Sequence, residues 1–81
     1  GATSGINDVN AVNVKVYPNP VVNVLHVNVE ALRIDVYNAG GALVADASNA
    51  DSVNVAHLPA GYYIAVVATA DGTARIPFVK K

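Results

Sequence analysis

Valine alternates with a polar neighbour along much of the chain, most clearly in Asn13-Val14-Lys15-Val16 and His26-Val27-Asn28-Val29. A period of two sends successive side chains to opposite faces of an extended backbone, so these stretches predict half-buried β-strands. The first strand runs to Tyr17 and stops at Tyr17-Pro18-Asn19-Pro20. Neither proline can donate to a ladder, and each pushes the residue before it away from helix. Leu25, Val27 and Val29 then share one face and Val24, His26 and Asn28 the other. Glu30-Ala31 is expected to turn the chain, after which Leu32, Ile34 and Val36 point one way and Arg33, Asp35 and Tyr37 the opposite way. Asn38-Ala39-Gly40-Gly41 supplies residues that accept positive φ and predicts a hairpin connection.

The second half continues in the same manner. Ala42 to Ala45 is a short apolar run, while Asp46 to Ser52 has no apolar period and reads as a loop. Val53 and Val55 make a brief strand, ended by Leu58-Pro59-Ala60-Gly61. Tyr62 to Thr69 is the most continuous apolar run and suggests a central strand. Asp71-Gly72 is a strong two-residue hairpin signal, and Thr73 to Val79 pairs back as a closing strand, where Pro77 demands an edge position or a bulge. About seven short strands with no helix of useful length predict an all-β, immunoglobulin-like antiparallel β-sandwich. Leu25, Val27, Ile34, Val36, Leu58, Tyr63, Ala65, Val67, Ile76 and Phe78 are its expected core. The word from Leu58 to Tyr63 predicts a tyrosine corner, with the Tyr63 hydroxyl returned to a nearby backbone group and Tyr62 facing out. Tyr62, Ile64 and Val66 then form a second apolar face, free to be covered or to bind.

Composition narrows the size and the function class. The chain has 81 residues, 53% hydrophobic and 14% charged, which excludes charge-driven disorder and leaves one small domain. Residues 1 to 11 are small and polar and read as a flexible linker, with the folded domain over 12 to 81. A net charge of -1 offers no basic stripe for phosphates, so nucleic acid is not an expected partner. The uncharged stretch from Ser52 to Ala70 is interrupted by Asn54, His57, Pro59 and Gly61, which speaks against a membrane-spanning helix. With no Met and no basic-then-apolar leader, Gly1 is expected to begin a processed product or an excised domain.

Catalytic chemistry is not expected. Cysteine is absent, the histidines are His26 and His57, and the serines are Ser4, Ser48 and Ser52, so no nucleophile, base and orienting group are placed to act together. No histidine pair has metal-ligand spacing, no phosphate-binding glycine motif occurs, and Asn7-Asp8-Val9-Asn10 lacks the glycine and glutamate of a calcium loop. The residues alone therefore describe a non-enzymatic module, without cofactor or metal, that serves recognition, adhesion or addressing.

Four phrases choose among these. Val16 to Val27 (VYPNPVVNVLHV), Ile34 to Val44 (IDVYNAGGALV), Val53 to Val67 (VNVAHLPAGYYIAVV) and Asp71 to Lys81 (DGTARIPFVKK) resemble, in order and spacing, the C-terminal sorting domain of type IX secretion cargo. Pro18, Asn19 and Pro20 match the first motif, Gly41 the middle glycine, Leu58, Gly61 and Tyr63 the third, and Lys80 and Lys81 the basic end. Asn38 stands where the family often has Asp, and Ala42 where a Lys or Arg commonly follows the glycine.

The resemblance implies an address at the end of a secreted precursor from a Gram-negative bacterium, with the cargo domain upstream. It passes through the periplasm, is read by an outer-membrane translocon and its shuttle proteins, and reaches the cell surface. There a sortase-like protease removes it and joins the cargo to lipopolysaccharide. The cut is expected at or just before Gly1 to Asp8, where Gly1, Ala2, Thr3 and Ser4 suit a protease cleft. Translocon recognition is expected at Arg75, Ile76, Pro77, Phe78, Val79, Lys80 and Lys81, through an edge strand with unpaired backbone groups and a solvated basic tail. The other reading is a non-cleaved immunoglobulin-like adhesion or accessory module on a surface protein.

Overall fold

The computed structural model describes residues 14 to 81, and those residues are all-β, with no helix among them. Five strands form one antiparallel sheet: β1 (Val16–Tyr17), β2 (Val24–Asn38), β3 (Leu43–Asn54), β4 (Gly61–Thr69) and β5 (Gly72–Lys80). The order is β1-β2-β4-β5, with β3 along the other edge of β2. The expected linker and the cleavage residues Gly1, Ala2, Thr3 and Ser4 lie outside the described residues.

Five strands replace the expected seven because two of the predicted breaks are not breaks. Glu30-Ala31 carries neither glycine, proline nor asparagine, so nothing there supplies turn geometry. The chain instead continues through a bulge, in which the interval from His26 to Ala31 on β2 faces only the interval from Ser52 to Ala50 on β3. The alternation changes phase just beyond the bulge, at Leu32 and Arg33, which are both exposed. Leu25, Val27 and Ala31 are buried ahead of that change of phase, Ile34 and Val36 after it, and Leu32, expected to share a face with Ile34, is exposed. Asp46 to Ser52 is likewise strand rather than loop. Its small residues have weak intrinsic β preference, but β2 offers a ready edge, and the pairs Asp35–Asp46, Ile34–Ala47 and Arg33–Ser48 follow it. Asn49, at φ 50, is the one kink along this stretch.

The sheet curls into a half-barrel whose inner side is one core. β1 pairs the first part of β2 and β4 the last part, on the same edge. Beyond β1 the chain crosses to the far side of β5, where Val21 bridges Lys80 in parallel. Nine of the ten expected core residues are buried, and Ile76 packs half-buried against them. Val21, Ala31, Val53 and Val55 complete the core. Val21 is fully buried, and its position depends on a strand far away in sequence that no local pattern indicates.

Candidate functional site

The sequence words converge on the last two strands. β4 and β5 pair along their whole length, from Thr69–Gly72 at the closed end to Gly61–Lys80 at the open end. The connecting residues are Ala70 and Asp71, one position earlier than the Asp-Gly signal implied. Thr69 holds the turn, its hydroxyl donating to the Gly72 carbonyl at 3.0 Å and accepting from Asp71 N–H at 3.2 Å.

At the open end the tyrosine corner forms as expected. Gly61 begins β4 at φ 153, and the following alternation sends Tyr62 outward, 76% exposed, and Tyr63 inward. The Tyr63 hydroxyl donates to the Pro59 carbonyl at 2.6 Å, and its ring stacks on Phe78, its cross-strand partner, at 5.8 Å. Leu58 is buried beneath the corner. The ring thus fills the core while its one polar atom is satisfied four residues back.

The proline word reaches the same end from outside. Asn19 Oδ1 accepts from Val79 N–H at 2.9 Å, across 60 residues of sequence. Val21 N–H donates to the Val79 carbonyl, and Lys81 N–H to the Val21 carbonyl, each at 2.8 Å. In an antiparallel ladder the main chain of alternate residues faces alternate neighbours. Val79 therefore turns its backbone away from β4, and so do Pro77, Arg75 and Thr73. Pro77 lies on that outer edge, where its missing N–H costs no ladder bond, which is the edge position its presence required.

These contacts change the picture of the C-terminal strand. Phe78 belongs to the core, Ile76 is half-buried, and Lys80 is only 6% exposed, on the core-facing side of β5 with Phe78. Its ammonium donates to the Lys81 carbonyl at 3.1 Å. The expected solvated tail is thus a tail at Lys81 alone. Lys80 is drawn in because the strand continues one residue past Val79 and the alternation puts its stem inside, where the ammonium finds the Lys81 carbonyl. The outer main chain of Val79 and the N–H of Lys81 are already bonded, so the unpaired edge expected over Arg75 to Val79 stops at the Pro77 carbonyl among the described residues.

The outward face is apolar across several strands. Leu43, Tyr37, Ile64 and Pro77 form a cross-strand row over β3, β2, β4 and β5. Val66 follows in the next row, flanked by Asp35 and Arg75. A groove of about 340 Å³ is lined by Tyr37, Asn38, Ile64, Val66 and Arg75 and closed at one side by Ala39 and Gly41 of the β2–β3 turn. That turn is fixed by Asn38, which donates its N–H to the Ala42 carbonyl and accepts from Ala42 N–H at Oδ1, both at 2.9 Å, while Gly41 takes φ 89. A side-chain oxygen is what the turn needs, and Asn and Asp both provide one, so charge at position 38 is not required for this geometry.

Beside the groove Arg33 pairs with Asp35 at 2.7 Å and with Asp46 at 3.0 Å. On the first half of β2, Tyr17 stacks on His26 at 5.5 Å. Among the described residues no three His, Asp or Glu side chains converge, and no helix is long and apolar enough to cross a membrane.

Sequence reasoning missed the link between the proline word and Val79, as well as the inward turn of Lys80. Both depend on which strand ends meet. Lys80 stands two residues past Phe78, in phase with the core, and that spacing was the available signal for the second. A family model described as secretion system C-terminal sorting domain matches residues 15–81. No curated protein matches the chain.

Proposed function

The chain belongs to the family of type IX secretion system C-terminal sorting domains, and from that premise we propose how it serves as an address. The family itself establishes a sorting signal that sends an upstream cargo to the cell surface or beyond. In our reading the outer-membrane translocon and its shuttle proteins recognise the folded domain at the outward side of β4 and β5. Arg75, Pro77, Val79 and Lys81 offer side chains there. Ile76, Phe78 and Lys80 hold the same strand from within.

The observation that carries this reading is the convergence of the proline, tyrosine and C-terminal words on one end of one hairpin. These three motifs thereby meet at one place in the fold, partly in its core and partly on its surface. The same reading takes the curled sheet as an immunoglobulin-like sandwich in which β2 and β3 each serve both layers. It makes the domain a substrate and not an enzyme. A sortase-like protease cuts at or upstream of Asp8, ahead of the sheet in sequence, and joins the cargo to lipopolysaccharide. The passage runs through the periplasm of a Gram-negative cell.

The test is transfer. Residues 1 to 81 fused to the C-terminus of an unrelated periplasmic passenger are expected to bring that passenger to the surface of a host with an intact type IX system. The passenger should arrive without the domain, and mass spectrometry should place its new C-terminus at or before position 8. In a host lacking the translocon it should stay periplasmic with the domain attached. Retention in both hosts would sink the transferable address and favour the adhesive module.

A further inference from the structure

Two prolines flanking one asparagine are usually enough to explain a rigid corner, but here the asparagine side chain has a partner that the corner itself does not need. Asn19 is exposed, yet its Oδ1 takes the N–H of Val79, which faces away from β4 and has no strand beside it. Val21, anchored in the core, takes up the next two outward groups, the Val79 carbonyl and the Lys81 N–H. Pro77 removes the N–H from the preceding outward position. The end of β5 is thereby closed on both sides, by Gly61 and Tyr62 of β4 and by the Asn19–Val21 segment.

Without the outer side, the last residues of β5 would be the end of an edge strand at the limit of the sheet. Such ends open locally at little cost. With it, Val79 is fixed beside Tyr62, its cross-strand partner, and Lys81 is fixed at the rim. We propose that Asn19 is a positioning residue for sorting: it clasps the end of the C-terminal strand so that the translocon meets a preformed side-chain surface of Tyr62, Val79 and Lys81. Strand addition onto an open edge at these residues is not the mode of recognition. A preformed surface avoids the ordering cost that a frayed strand would add to binding. This inference rests on the sorting reading above and specifies which chain segment must be intact for it.

Two variants of the full chain test it, Asn19→Ala and Asn19→Asp, each examined by amide exchange and as a passenger fusion. The carboxylate of the second accepts the same bond, while the first removes the acceptor. Asn19→Ala is expected to speed exchange at Val79 by about tenfold or more and to speed it at Lys81 by less, because a lost acceptor leaves an exposed N–H. Exchange at Val67, in the core of β4, should not change. Surface yield of the passenger should fall severalfold, and Asn19→Asp should restore both readouts.

If Val79 stays protected in Asn19→Ala, there is no clasp. If protection is lost while surface yield is unchanged or rises, the clasp exists but does not present the signal, and an open edge becomes the better account. A wild-type fusion that is itself retained overturns the sorting reading, and the exchange data then separate that failure from failure of the clasp.

Discussion

Two polar side chains grip main chain at the same end of the β4–β5 hairpin, and they differ in almost every other respect. Tyr63 acts from inside, on a carbonyl four residues back, with its ring packed on Phe78. Asn19 acts from outside, on an N–H sixty residues away, in an exposed position. Burial makes the first a matter of stability, because a stranded carbonyl in the interior loses both water and partner. Exposure makes the second a matter of order, since water can replace a lost bond there at small net cost. One hairpin end therefore separates what holds the domain folded from what holds its last residues in place.

Removing the packing that Tyr63 relies on is the strongest way to break the comparison. Phe78 is 2% exposed and is among the largest fully enclosed side chains. Phe78→Ala is expected to cost about 3 to 5 kcal/mol. At roughly 0.05 to 0.15 kcal/mol per residue the whole domain has a net stability on the order of 4 to 12 kcal/mol, so this variant approaches unfolding. Urea midpoints at unchanged slope measure it, and a loss under about 1 kcal/mol would mean that the ring is not the keystone of this end.

Deleting Lys80 and Lys81 is the next largest change. A solvated tail could be removed with little consequence. The structure instead predicts a loss of roughly 1 to 3 kcal/mol, from the Lys81–Val21 bond, the bridge at Lys80 and the buried stem. Export of a fused cargo would fall for the same deletion, but part of that fall would be structural. Lys80→Met keeps most of the stem and removes the ammonium, so it isolates the charge. A deletion that leaves the urea midpoint unchanged would return Lys80 to the solvent.

How much of this was legible follows the range of each interaction. The tyrosine corner is spelled within six consecutive residues, Leu58 to Tyr63, and the β4–β5 hairpin within the apolar run, its turn and the returning strand. Local chemistry decides both, and both formed nearly where expected. The strand count failed at Glu30-Ala31 and over Asp46 to Ser52, where partner strands outweighed weak local preferences. The clasp was out of reach altogether: Tyr17-Pro18-Asn19-Pro20 announces a corner, but nothing in those residues says that Val79 lies beside it. Of the candidate site, the sequence placed a closing strand over Thr73 to Val79, which forms as β5, and misjudged which of its atoms are free, because that depends on the segment packed along its edge.

The smallest expected effect is also the cleanest reading of the comparison. Tyr63→Phe keeps the ring, its stacking on Phe78 and its burial, and removes only the hydroxyl that donates to the Pro59 carbonyl. The carbonyl is part-buried, so the loss is expected at about 1 to 2 kcal/mol. Tyr62→Phe removes a hydroxyl that stands in solvent and should leave the urea midpoint where it is. The adjacent tyrosines thus share composition, strand and removed atom, and differ only in the face the alternation gives them. Amide exchange at Val79 adds a second axis: with its own acceptor on Asn19, that N–H should keep its protection in Tyr63→Phe under conditions where the domain stays folded. Equal midpoint shifts for the two tyrosines would refute the corner as a stabilising bond, and loss of Val79 protection without global unfolding would show that the inner and outer grips on this hairpin end are one unit instead of two.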